Sequence, residues 1–96
     1  MPYVLGVNKV EDVDKWKSRF NGPEGTAMRK AAGEKGHQIF RSTDDPNTVV
    51  VLIEWENLDN VRKYYQSEKF KEAQPKAGVI GTPEIYFLEE VEQQSV

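Results

Sequence analysis

The stretch TVVVLIEWENLDNVRKYYQSEKFKEAQ, Thr48 to Gln74, decides the fold. Val49 to Ile53 is a run of β-branched and aliphatic residues, too short for a buried helix and composed like a strand interior. Trp55 and Glu56 close it. Asn57 is a good helix N-cap, and Asp59 adds negative charge to the first helical turn. Leu58, Val61 and Tyr65 then share one helical face, with Tyr64 beside them. Ser67 can start a second turn or re-cap the helix, Phe70 and Ala73 or Gln74 continue the apolar stripe, and Pro75 ends it. The stretch reads as a strand handing over to a helix, so a pocket is expected between those two elements.

On either side of it the same signals recur. Tyr3 to Val10 alternates as a strand, with Tyr3, Leu5, Val7 and Lys9 on one face and Val4, Gly6, Asn8 and Val10 on the other. Asn8 is a polar amide on a face that otherwise looks internal. Asp12 caps a helix carrying Val13, Trp16 and Phe20, and Asn21-Gly22-Pro23 stops it. Glu24 to Gly36 reads as a short helix with Met28, Ala31 and Ala32, or as an ordered loop. Ile39 and Phe40 belong to a strand from His37 to Ser42. The turn signal Asp44-Asp45-Pro46-Asn47 joins it to the Thr48–Glu56 strand as a hairpin. Ala77 to Gly81 is expected as a loop, Glu84 to Val91 as the last strand, and Glu92 to Val96 as a polar tail.

Strand, helix, strand, strand, helix, strand is the split βαβ order: an α+β, ferredoxin-like βαββαβ fold with a four-stranded antiparallel sheet and its helices on one face. Residues 1–96 are expected to form one such domain. The third strand is apolar on both faces, and the last repeats this with Ile85 and Phe87 against Tyr86 and Leu88. Two main helices can cover only one face. Burying roughly six such side chains at ~1.5–3 kcal/mol each is too large a driving force to leave facing water. A homodimer packed through the bare sheet face is the expected remedy.

Composition narrows the chemistry. Hydrophobic residues make up 38% and charged residues 30%, as in a globular protein. The chain has no cysteine and one histidine, which argues against a disulfide framework, a thiolate nucleophile and a protein-only metal site. A net charge of 13 − 16 = −3 opposes attraction to nucleic acid. No apolar run approaches ~20 residues, and MPYVLGV lacks the basic region of a signal peptide, so a cytoplasmic protein off the membrane is expected.

The strand ending in Glu54-Trp55-Glu56, the helix with paired aromatics and the following Ser67-Glu68-Lys69-Phe70 resemble the antibiotic biosynthesis monooxygenase family. That family belongs to the dimeric α+β barrel superfamily, which also holds haem-degrading monooxygenases and small polyketide cyclases. The resemblance covers Tyr3 to Val91 in element order. It implies a small aromatic, phenolic or quinone-like ligand and no cofactor, the substrate anion itself reducing dioxygen. The haem-degrading branch has an asparagine on the first strand, matched here by Asn8, and a tryptophan and an iron-ligating histidine on the last helix. Tyr64 and Gln74 stand at those two positions, so the iron ligand is missing and haem degradation is rejected. The cyclase-like branch pairs a helix tyrosine with a later histidine, and Phe70 stands where that histidine would be.

Asn8 and one hydroxyl of Tyr64 or Tyr65 are thus candidates to orient a substrate oxygen. His37 is a candidate base because imidazole titrates near neutrality. Trp55, Phe70 and Gln74 are candidates for contact with a substrate, although the spacing of Trp55 and Trp16 fits a core. Asp44 and Asp45 look like turn chemistry, and Glu54 and Glu56 like a solvated or intersubunit edge. A non-catalytic homodimer that binds a small ligand is the competing expectation.

Overall fold

The computed structural model describes residues 1–96. In chain order it contains β1 (Pro2–Val10), α1 (Val13–Phe20), α2 (Pro23–Ala32), β2 (Glu34–Arg41), β3 (Thr48–Trp55), α3 (Leu58–Gln66), α4 (Glu68–Lys76) and β4 (Val79–Glu89). The strands form one antiparallel sheet in the order β2-β3-β1-β4, the ferredoxin-like arrangement expected from the sequence.

Short polar side chains set the helix ends. Asp12 accepts hydrogen bonds from the Asp14 and Lys15 amides at 2.8 and 3.2 Å, and Asn57 accepts from the Asn60 amide at 3.0 Å. Ser67 divides the last helical stretch in two. Its backbone is extended, its hydroxyl donates to the Tyr64 carbonyl at 2.7 Å, and its oxygen accepts from the Phe70 amide at 3.2 Å. Of the two forms open for Glu24–Gly36, the helix prevails as far as Ala32, whereas Glu34 to Gly36 belong to β2. Pro23 starts α2, and Gly33, at φ +99, closes it by donating to the Arg29 and Lys30 carbonyls.

Two further stretches differ from the expectation. Val79 to Gly81 belongs to β4, because Val79 and Ile80 pair with Val10 and Lys9. Pairing then lapses over Gly81-Thr82-Pro83, opposite Asn8, and resumes at Glu84. Three residues face one there, and Pro83 has no amide to donate to the ladder. Val91 lies beyond the strand, exposed.

Alternation sorts the sheet into two faces. Val4, Val10, Val49, Val51, Ile53 and Trp55 point inward and pack with Trp16 and Val61 from the helices. Leu5, Val7, Val50 and Leu52 point to the opposite face, where Phe40, Tyr86 and Leu88 are exposed. Lys9, Asp45 and Thr48 join the hairpin turn to β1, and Asn47 Nδ2 donates to the Val10 and Glu11 carbonyls at 2.9 and 3.1 Å. Asp44 and Asp45 therefore serve the turn.

Candidate functional site

The inner face does not fill completely. Near its centre, between the strands and all four helices, lies a half-enclosed cavity of about 490 Å³. Gly6 opens it: an added Cβ would stand 3.2 Å from Val51 Cγ1 and 3.7 Å from Ile85 Cδ1. A glycine in mid-strand thus leaves a hollow where a side chain would close the floor. The volume suits a ligand of two or three fused rings.

Asn8 is 5% exposed and lines the cavity beside Gly6. Its carboxamide takes part in none of the side-chain hydrogen bonds, and neither of its polar atoms is sealed from open space. The strand irregularity opposite Asn8 removes β4 as a close neighbour at that position. The amide is free to meet a ligand oxygen.

The helical wall is aromatic. Tyr64, Tyr65 and Phe70 touch one another edge-on, with centroids 4.8–5.4 Å apart. All three line the cavity. The break at Ser67 makes this possible by turning Phe70, on α4, back against the tyrosine pair on α3. Burial pushes the Tyr64 hydroxyl above the ordinary phenol value and the Tyr65 hydroxyl well above it. At neutral pH both are hydrogen-bond donors and not bases. Gln74 lines the cavity too, and its Nε2 donates to the Phe70 carbonyl at 2.8 Å, which leaves its oxygen and one N–H for a ligand.

Two sequence candidates stand elsewhere. Trp55 is fully buried beneath the tyrosines, its ring centroid 5.5 Å from that of Tyr64 and 6.0 Å from that of Tyr65. It supports the wall and does not line the cavity, and its Nε1 is a buried donor without a partner. His37 also lies outside the lining. Its Nδ1 is 2.6 Å from Glu34 Oε2, and its ring meets Phe20 edge-on.

Arg29 is the residue that the sequence reading missed. It is 3% exposed, at the end of α2, and lines the cavity. Its Nε donates to Glu34 Oε1 at 2.5 Å and its Nη1 to the Phe20 carbonyl at 2.8 Å, while the guanidinium lies 3.6 Å over the Phe20 ring. A register shift at Lys35 creates this arrangement. Glu34 pairs with Trp55 and His37 with Ile53, so both side chains face inward although their positions differ by three, an odd number. Only the pair Arg29 and Glu34 around the helix-ending Gly33 hinted at it, and a surface ion pair would have looked the same.

Solved structures share this fold. A monooxygenase from the gene ActVA-Orf6 of Streptomyces coelicolor, in complex with nanaomycin D, superposes with a TM-score of 0.73 at 16% identity, over 99% of this chain and 91% of that one. SnoaB, a cofactor-independent oxygenase from Streptomyces nogalater, gives 0.69 at 18% identity over 96% and 93%. A candidate antibiotic biosynthesis monooxygenase from Bordetella bronchiseptica gives 0.74 at 18% identity over 95% and 97%. No curated protein matches the chain. The sequence itself settles the family, since the model for antibiotic biosynthesis monooxygenase matches residues 10–76, from the end of β1 through all four helices. This chain belongs to the antibiotic biosynthesis monooxygenase family.

Proposed function

We propose that the protein is a homodimeric, cofactor-independent monooxygenase or cyclase that takes an aromatic, polyketide-like molecule into the cavity. The observation that carries this reading is a hollow of about 490 Å³ whose free polar groups include the Asn8 amide and two protonated tyrosine hydroxyls. Asn8, Tyr64 and Tyr65 supply donors where negative charge develops on a ring oxygen, and Phe70 and the tyrosine rings hold the ring plane. A ring CH2 flanked by hydroxylated rings then gives its electrons to dioxygen. One oxygen atom becomes the ring carbonyl, and the other leaves as water with the two hydrogens. The second copy packs on the sheet face opposite the helices, where Leu5, Val7, Val50, Leu52, Tyr86 and Leu88 form an apolar surface. Solved relatives described as oxygenases support the reaction class.

A second reading, a dimer that binds such a ligand without turning it over, is favoured by the position of the one histidine. His37 faces Glu34 and not the cavity, so no imidazole is at hand to remove a substrate proton. Oxygen uptake with 1,8-dihydroxyanthrone separates the two. An enzyme speeds uptake and quinone formation above the spontaneous rate, and Tyr64→Phe lowers the gain about 10²-fold while leaving the fold intact. Binding without acceleration, across a panel of such anthrones, supports the second reading.

A further inference from the structure

We infer that Arg29 is the anchor for a negatively charged oxygen on the ligand, so that the cavity selects aromatic acids over their neutral counterparts. The inference rests on the reading of the cavity as a ligand site. Burial of a guanidinium is costly unless its donors are satisfied. Arg29 meets that condition only in part: Nε is held by Glu34 and Nη1 by the Phe20 carbonyl, whereas Nη2 has no protein partner and is not sealed off. The residue lines the cavity, so the remaining donors are left for what enters it. The bonds already made also fix the group. Glu34, the Phe20 carbonyl and the Phe20 ring hold its plane from three sides, leaving little side-chain freedom to lose on binding.

The charge is also felt where the ligand would lie. The Arg29 guanidinium lowers, and the Glu34 carboxylate raises, the proton affinity of both tyrosine hydroxyls, although burial outweighs either influence. Arg19, Lys69 and Lys76 border the same cavity but are exposed, as are Glu24 and Glu72. Solvent screens those five, whereas Arg29 acts from a buried position. A ligand with a carboxylate or an ionised phenol matches Arg29, and an ester or ether of equal shape does not.

The test uses 1-hydroxy-2-naphthoate and its methyl ester as probes, titrated into the full protein by fluorescence and calorimetry. The acid is expected to bind about tenfold more tightly than the ester. Arg29→Met should remove that preference while leaving ester affinity unchanged, and Arg29→Lys should restore part of it. The Arg19→Gln, Lys69→Gln, Lys76→Gln triple variant should retain it. Equal affinity for the two probes, or a preference that survives Arg29→Met, overturns the inference and leaves the cavity reading standing. Failure of both probes to bind overturns both. Where Arg29→Met does not fold, the Arg29 Nε resonance of the ¹⁵N-labelled wild-type protein decides: a shift with acid and none with ester supports the anchor, and no shift with acid overturns it.

Discussion

The two faces of the sheet are built from the same strands and differ in what covers them. On the inner face Val49, Val51, Ile53 and Trp55 meet helices and are buried. On the outer face Val50 and Leu52, their chain neighbours, stay partly exposed beside Phe40, Tyr86 and Leu88. The polar exceptions lie on the inner side, Asn8 on β1 and Arg29 on the covering helix α2. Alternation along one strand thus faces a cavity on one side and leaves an apolar surface on the other.

A pair of adjacent substitutions breaks the comparison most strongly. Val51→Asp places an unpaired charge in the core and should cost more than about 4 kcal/mol, enough to unfold the chain in circular dichroism. Leu52→Asp, one residue away, should leave a folded protomer and weaken self-association by at least about 10²-fold in sedimentation. Equal effects on folding would show that the two faces are not distinct.

Gly6→Leu sharpens the inner side. Filling the floor should cost about 1–3 kcal/mol through crowding against Val51 and Ile85, read as a lower denaturant midpoint, and should abolish probe binding. Val7→Leu, on the outer face, should leave probe binding unchanged.

Titration gives the smaller effects. Tyr65 is raised by burial, then by Tyr64, so its contribution to stability is complete below the ordinary phenol range, about pH 10, and is lost as pH rises beyond it. Ultraviolet titration should show Tyr64 and Tyr65 ionising only together with alkaline unfolding. Asp45 is lowered to about 2, first by its bond from Lys9 and then by that from Thr48. Its support for the turn is present above the ordinary carboxylate range and fades as pH falls from about 4 toward 2. Asp45→Asn should flatten that part of the acid profile slightly, since the pair is exposed.

The fold was legible because its signals are local. Asp12, Asn57 and Ser67 act where their short side chains predict, and the valine run of β3 has the alternation of burial that its composition implies. The site was legible only in part. Asn8, Tyr64, Tyr65, Phe70 and Gln74 meet around one hollow because each lies on an element whose face could be counted from the sequence. Arg29 escaped because its burial depends on the one-residue shift at Lys35, which turns Glu34 inward. The same shift gives His37 a carboxylate partner away from the cavity. Trp55 belonged to the core its spacing indicated. The early start of β4 was hidden because pairing of Val79 and Ile80 with β1 is a long-range event, and the glycines around them read as loop.

Sedimentation velocity at micromolar concentration, on the wild type beside Leu52→Asp, tests the division between the two faces most directly. The account predicts a wild type of twice the 11.0 kDa chain mass and a folded variant of single mass. A wild type that sediments as a stable lone protomer would contradict it.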